Sequence, residues 1–489
     1  MTDQLERITT GTAGLDEVLD GGLIANRSYL VRGDPGTGKT MLGLNFLCAG
    51  LENGETSLFV NLEEAERDVR QNAAVVGMDL EDVHFLDLSP DSEMFVENQS
   101  YDIFEPSEVE QESLTDSITE RIESVDPDRV FIDPMTRLRY ITSDEYQFRQ
   151  QVIAFTRYVK DQGATVLFTS QNTAYSTDDD LQFLTDGTID LRNDPIGRQL
   201  TVPKFRGSDT LGGVHTMRIR DDGIHVYPEI NPENHAREVP RETLSVGVPE
   251  LDELLCGGID RGTITVVTGP TGVGKTTTGS QFMKEAAGRG ERSSIYMFEE
   301  TKRIFLERST AINIPVEQMI DQGTLNVTEV GSFELSPQEF AQRVKHDVEE
   351  NDTSVVMIDG INGYLLSLRG DRDAHIRKLH TLCRYLRNMG ITVILVEEVG
   401  SVTGEFEVTQ ADISYLADNI IFLRHLEVHG EMQKAIGVLK KRTGDYERTL
   451  REFSISEHGL KVGEPLTNLR NILSGQPNTI RSAEERSNG

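Results

Sequence analysis

Long apolar runs, basic residues and cysteines are all scarce in this chain of 489 residues. No stretch approaches the roughly 20 consecutive apolar residues of a membrane span. The opening MTDQLERITTG has no apolar core of the kind that marks a secretory signal, so a cytoplasmic protein is expected. The 48 Lys and Arg are outnumbered by 82 Asp and Glu, for a formal net charge of −34. Nucleic-acid binders neutralise phosphates with clustered basic residues, and this balance speaks against an extended nucleic-acid surface. The acid is spread along the whole chain, which suits a surface kept hydrated in a salt-rich, halophilic cytosol; general solubility is the plainer reading. The three cysteines, Cys48, Cys256 and Cys383, are too few and too far apart for a disulfide framework or a thiolate metal site. Buried, reduced thiols are expected.

What is present is a repeat. Residues 9–40, TTGTAGLDEVLDGGLIANRSYLVRGDPGTGKT, lie over residues 245–276, SVGVPELDELLCGGIDRGTITVVTGPTGVGKT. Leu15-Asp16 match Leu251-Asp252, Gly21-Gly22 match Gly257-Gly258, and Lys39 matches Lys275, always at an offset of 236. The same offset sets Glu63-Glu64 on Glu299-Glu300, and Lys204 and Arg206 on Lys440 and Arg442. The period is too long for a solenoid, so the chain is a duplicated domain. The seam falls near the polar, proline-containing PEINPENHAREVPRE, residues 228–242. The expected domains are 1–235 and 236–473, with a polar tail, 474–489, expected to be disordered.

Each half alternates strand-like and helix-like segments. SYLVRG, TSLFVNLE, VHFLDLS, RVFID and TVLFTSQ are short apolar runs, and TITVVTG, SSIYMFEE, LNVTEV, SVVMID and TVILVEE repeat that order. The pattern predicts α/β folding: two tandem P-loop domains, each a mainly parallel sheet flanked by helices. Each half ends in β-rich segments such as IIFLRHLEV and KAIGVLKKR, which predict antiparallel additions to one sheet edge. Between VHFLDLS and SLTDSITERIESV, the acidic SPDSEMFVENQSYDIFEPSEVEQE reads as a flexible loop.

Gly33-Asp34-Pro35-Gly36-Thr37-Gly38-Lys39-Thr40 and Gly269-Pro270-Thr271-Gly272-Val273-Gly274-Lys275-Thr276 both fit G-x-x-x-x-G-K-[ST]. Glycines let backbone N–H groups point at phosphate oxygens, the lysine reaches the β- and γ-phosphates, and the threonine hydroxyl binds Mg²⁺. Two such motifs in register point to ATP and Mg²⁺. Asp133 and Asp359 end the apolar runs VFID and VMID, where an aspartate beside a P-loop can hold the metal together with Thr40 and Thr276. Glu63, Glu64, Glu299 and Glu300 end the strand after each P-loop helix, placed to orient or deprotonate an attacking water or hydroxyl. Solvent-facing acid pairs are the alternative. Lys204, Arg206, Lys440 and Arg442 come late in each domain, suited to reach the phosphate bound by a neighbouring subunit; surface salt bridges or a small basic patch are the other readings.

At this point the chain resembles the KaiC family of RecA-superfamily ATPases, along residues 8–480. The resemblance rests on the GTAGLD and GGL entry, on NLEEAERD and MFEETKR, on HGEMQKAIGVLKKRTGDYERTLREFSIS, and on NLRNILSGQPNTIR. It implies RecA-like domains in a double-ring homohexamer with ATP at subunit interfaces. It also implies slow ATP hydrolysis, chiefly in the first domain, and a second domain acting as a serine/threonine autokinase on a neighbouring chain. By resemblance, Ser414 falls on the family's phosphoserine and Thr409 on an assisting threonine. Tyr415 stands where the clock members carry a phosphothreonine, and its longer, rigid side chain puts the hydroxyl elsewhere. A single phosphorylation site, Ser414, is what the resemblance leaves.

Two other readings stay open from sequence. A RecA-like DNA-handling ATPase would grip a strand with basic loops, yet NTAYSTDDDLQFLTD and VGSVTGEFEVTQAD are acidic. A nucleotide-gated scaffold would bind ATP, assemble and recruit a signalling protein partner that the sequence does not name. A membrane partner is not expected.

Overall fold

The computed structural model describes residues 5–89, 108–140, 145–171, 178–238, 240–368, 371–400, 413–428, 430–467, 469–470 and 478–479. Thr409, most of the acidic stretch after VHFLDLS, most of 399–412 and most of the tail lie outside the described residues. The chain divides into two compact units, Met1–Glu229 and Ile230–Gly489. Ile230 is buried in the second unit's core. Glu233 pairs with Arg384 at 3.3 Å, and the Pro232 carbonyl accepts from Asn388 Nδ2 at 2.7 Å.

The first unit's sheet has nine strands: β1 Ser28–Gly33, β2 Ser57–Asn61, β3 His84–Asp87, β4 Arg129–Asp133, β5 Thr165–Ser170, β6 Gly187–Asp194, β7 Gly197–Phe205, β8 His215–Arg220 and β9 Gly223–Tyr227. Their order is β3-β2-β4-β5-β1-β6-β7-β8-β9. Pairings from β3 to β6 are parallel, and those from β6 to β9 antiparallel. The second unit has β10 Ile264–Gly269, β11 Arg292–Met297, β12 Leu325–Glu329, β13 Thr353–Asp359, β14 Thr392–Glu398, β15 Asn419–Val428, β16 Glu431–Lys441, β17 Arg451–Ser456 and β18 Gly459–Pro465. Its order, β12-β11-β13-β14-β10-β15-β16-β17-β18, is the same arrangement repeated. Again the first six strands in that order run parallel and the last pairings are antiparallel. The mainly parallel α/β sheet with an antiparallel edge extension is thus borne out in both halves.

Apolar character on both faces makes the parallel strands what they are. Val31, Phe59, Phe131 and Leu167 pack into one core layer, while Leu30, Leu58, Val60, Val130, Ile132 and Val166 pack into the other. Side chains alternate across a strand, so a strand covered by helices on both sides must be apolar throughout. The second unit repeats this, with Val267, Ile295 and Met357 on one face and Val266, Tyr296 and Val356 on the other.

The repeated Leu-Asp of each entry segment has a structural explanation. Asp16 accepts from Thr10 N at 2.8 Å and Thr9 Oγ1 at 2.5 Å; Asp252 accepts from Val246 N at 2.8 Å and Ser245 Oγ at 2.5 Å. Both carboxylates tie the entry loop to the short helix that follows. The helix expected from SLTDSITERIESV runs Glu108–Val125, starting inside the acidic stretch. All three cysteines are free, but only Cys383 is buried; Cys48 is partly covered and Cys256 is exposed. Cys256 is a turn residue at φ 48° after the helix Pro249–Leu254, so its side chain leaves the core, contrary to the expectation. Among the described residues, no helix is long and apolar enough to cross a membrane.

Candidate functional site

The carboxyl ends of β1, β2, β4 and β5 converge in the first unit, and those of β10, β11, β13 and β14 in the second. Ligands of open α/β sheets bind at this end. β1 and β10 run straight into the G-x-x-x-x-G-K-[ST] loops, which open the helices Lys39–Glu52 and Lys275–Gly288. Gly38 and Gly274 cap these helices in the left-handed region, at φ 106° and 115°. A Cβ there would be strained and would press on Ile219 Cδ1 at 3.1 Å or Ile455 Cδ1 at 2.5 Å. Lys39 Nζ donates to the Gly33 carbonyl at 2.7 Å and the Asp34 carbonyl at 3.0 Å, and Lys275 Nζ to the Pro270 carbonyl at 2.9 Å. Burial lowers the pKa of both ammonium groups; nearby carboxylates, led by Asp133 for Lys39 and Glu398 for Lys275, oppose that.

The residues expected at the metal come together in both halves. Thr40 Oγ1 donates to Asp133 Oδ2 at 2.5 Å, and Thr276 Oγ1 to Asp359 Oδ1 at 3.1 Å. Thr169 Oγ1 donates to the other oxygen of Asp133. Desolvation raises the pKa of both aspartates, Asp359 to about 6. A hard-oxygen pair of hydroxyl and desolvated carboxylate fits Mg²⁺, which takes few protein ligands and completes its shell with phosphate and water. Among the described residues, no cluster of three or more His, Cys, Asp or Glu could hold a metal.

The paired glutamates flank this centre, with different supports. Glu63 Oε2 accepts from Gln171 Nε2 at 3.0 Å. Glu299 Oε1 accepts from the Gly363 backbone N–H at 3.0 Å. Partial desolvation raises the pKa of Glu64, reinforced by Asp133 and Glu63. Desolvation also raises that of Glu300, which pairs with Arg308 at 2.9 Å. Glu64 also has a neutral partner, the Asn72 side chain, so among the described residues only Glu300 of the four is paired with a cation.

The sequence matches the family described as KaiC ATPase twice, over residues 8–231 and 244–467. The chain belongs to the KaiC ATPase family. It is 28% identical to the circadian clock oscillator protein KaiC of Acaryochloris marina, over 99% of this chain and 93% of that one. It is 29% identical to KaiC of Prochlorococcus marinus, over 98% and 96%. The circadian clock protein KaiC3 of Synechocystis is 27% identical, over 100% and 98%. The chain is therefore a KaiC-like ATPase with two tandem domains.

In this KaiC-family chain the late cations do not join their own unit's P-loop. Arg206 N donates to the Asp186 carbonyl at 2.9 Å, and Asp186 N to the carbonyl of Ser28, the first residue of β1. The P-loop leaves the other end of that strand. Lys204 Nζ lies on the Thr185 carbonyl at 2.6 Å and Arg206 lies 3.8 Å from Asp186. The second unit copies this: Lys440 Nζ donates to the Ser414 carbonyl at 3.1 Å, and Arg442 pairs with Asp418 at 3.0 Å. Desolvation, then the adjacent arginine, lowers the pKa of both lysines. Ser414 lies in the turn before β15; its neighbour Tyr415 is exposed and meets His380 ring to ring at 5.7 Å.

Several residues near the site escaped sequence reading. Arg198 donates to the Gly36 carbonyl at 3.4 Å and Lys434 to the Gly272 carbonyl at 3.1 Å, each a cation over its own P-loop. They too stand 236 apart, the signal that could have found them. Thr169, Gln171 and Glu398 lie at strand ends, and no motif marked them.

Proposed function

We propose that each half binds Mg-ATP in its own P-loop and turns it over at an interface with a neighbouring copy in a ring, a homohexamer as in the family. We infer further that the second half phosphorylates Ser414 of that neighbour. The observation that carries this reading is the placement of Ser414, Lys440 and Arg442. Asp418, beside them, joins Ile264 at the start of β10, whereas the P-loop leaves at Gly269. At roughly 3.3 Å per residue, about 16 Å of strand separates the two ends. These groups suit the nucleotide of another chain, and Lys204 and Arg206 are arranged alike.

In this mechanism, backbone N–H groups of Gly33–Lys39 and Gly269–Lys275 cradle the phosphates, and Lys39 and Lys275 turn to the β- and γ-phosphates. Thr40 with Asp133, and Thr276 with Asp359, would hold Mg²⁺, which when bound neutralises phosphate charge. In hydrolysis, Glu63 or Glu299 takes the proton of the attacking water, while Glu64 and Glu300 shape the field around it. The γ-phosphorus gains a bond to the water oxygen and loses its bond to the β–γ bridging oxygen. In self-phosphorylation the Ser414 hydroxyl replaces water, Glu299 takes its proton, and ADP leaves. Lys204 and Arg206, or Lys440 and Arg442, stabilise the charge from across the interface.

The circadian relatives suggest a signalling output to a protein partner, in the cytoplasm. The diffuse acidic surface suits a salt-rich interior. The test is phosphopeptide mass spectrometry after incubation with Mg-ATP in high-potassium buffer, with Lys275→Ala as control. Phosphate on Ser414 that is absent from the control supports the kinase reading. An unmodified Ser414 beside measurable hydrolysis removes it and leaves an ATPase switch.

A further inference from the structure

The two sites differ at one strand end. β5 and β14 lie beside the P-loop strands in the same register, Arg32 opposite Ser170 and Thr268 opposite Glu397. The next residue is Gln171 in the first unit and Glu398 in the second. Gln171 is neutral and donates to Glu63 at 3.0 Å. Glu398 is a carboxylate whose Oε2 lies 3.6 Å from Lys275 Nζ. Its backbone is fixed: the Glu398 carbonyl accepts from Asn362 Nδ2 at 2.8 Å, and Val399 N donates to the Gly269 carbonyl at 3.1 Å. Glu299 accepts from the Gly363 N–H at 3.0 Å. Among the described residues, Lys39 in the first unit donates to carbonyl oxygens and has no carboxylate ion pair matching that of Lys275.

We propose that Glu398 sets nucleotide affinity and exchange at the second site: it is a counter-carboxylate that the γ-phosphate must displace from Lys275. This rests on the reading of Lys275 as the phosphate-binding lysine. A lysine ammonium on a P-loop serves the β- and γ-phosphates, so Glu398 and the γ-phosphate compete for one cation. Once displaced, the carboxylate remains beside the most highly charged end of ATP. ADP lacks that phosphate and meets less of the repulsion. The second site is therefore the weaker ATP site and discriminates less against ADP, and the amide at Gln171 spares the first site both effects.

The test measures fluorescent ATP and ADP analogues in Mg²⁺ buffer on the full chain carrying Lys39→Ala, which leaves the second site alone. Adding Glu398→Gln is expected to tighten ATP roughly tenfold and ADP by clearly less, with slower ATP release. Gln171→Glu in a Lys275→Ala background is expected to weaken ATP at the first site by a similar factor. Unchanged or weaker ATP binding by Glu398→Gln overturns the proposal, as does an equal gain for ADP. Loss of hydrolysis at unchanged affinity also overturns it, assigning Glu398 to proton transfer instead. If the Lys39→Ala protein retains its second-site binding after Lys275→Ala is added, the underlying reading of Lys275 fails, which is a separate result.

Discussion

Thr276 Oγ1 donates to Asp359 Oδ1 at 3.1 Å, inside a site where desolvation holds that carboxyl near pKa 6 against an ordinary 3.8. Glu300 and Glu299 push in the same direction, and Thr276 and Arg308 push back. A carboxyl whose folded pKa is raised favours the folded state when protonated. Its contribution is most favourable below pH 3.8, declines as pH rises to about 6, and above that costs on the order of 3 kcal/mol. Asp359→Asn is therefore expected to raise the melting temperature of metal-free, nucleotide-free protein by several degrees at pH 8. The gain should shrink at pH 5. An equal gain at both values would mean that packing, not charge, explains the effect. Mg-ATP should stabilise the wild type more than the variant.

Each half carries the whole G-x-x-x-x-G-K-[ST] motif, and the two are separate in sequence, so on the proposed function their losses should add. Lys39→Ala and Lys275→Ala should each remove one of two ATP equivalents per chain in a binding titration, and the double variant should remove both. One equivalent in the wild type would mean that one loop is closed to nucleotide.

Gln171 and Glu63 make the first site's own test. The amide fixes the carboxylate that would receive the proton from water, so Gln171→Ala should lower turnover about tenfold with little change in ATP affinity. Glu63→Gln should lower it by 10²–10³, on the order seen for a lost general base. Measurements belong in a Lys275→Ala background, so that only the first site reports. If Gln171→Ala changed affinity and not turnover, its role would be binding rather than positioning.

Which parts of this site sequence could reveal follows from what makes each residue necessary. Gly38 and Gly274 are dictated by left-handed backbone, and Lys39 and Lys275 stand where a phosphate-binding lysine would be required, so spacing alone exposes them. Asp133 and Asp359 end apolar runs, which marks them as polar groups held at a buried strand end. The parallel strands are legible because strands covered on both faces must be apolar, whereas their order in the sheet is visible only in the fold. Gln171 and Glu398 are another matter: they differ in chemistry between halves, and the numbering offset there is no longer 236, so comparing repeats does not align them. Arg198 and Lys434 keep the offset, but a basic residue in a strand reads as a solvated face until the sheet folds it over Gly36 and Gly272. Cys256 misleads for the converse reason: its apolar neighbours Leu254 and Leu255 are buried, and the turn they end in turns the thiol outward.

Arg206 offers the sharpest test of a shared site. Its side chain is 57% exposed, and its neighbour Lys204 holds a second cation beside it, at the strand end remote from their own P-loop. If these cations complete the nucleotide site of an adjacent chain, Arg206→Ala should retain ATP binding and lose hydrolysis at the first site by about 10³, the lower range for an arginine finger. Glu63→Gln should have the same phenotype by a different route. Neither variant alone contains one intact interface. After mixing and subunit exchange, however, an interface pairing Glu63 of one variant with Arg206 of the other is wholly wild-type. Activity should therefore reappear on mixing two nearly inactive preparations, in a Lys275→Ala background, and rise with exchange time. Mixing without recovery, while exchange is verified by labelled subunits, would place both residues in the service of one chain and remove the interface mechanism.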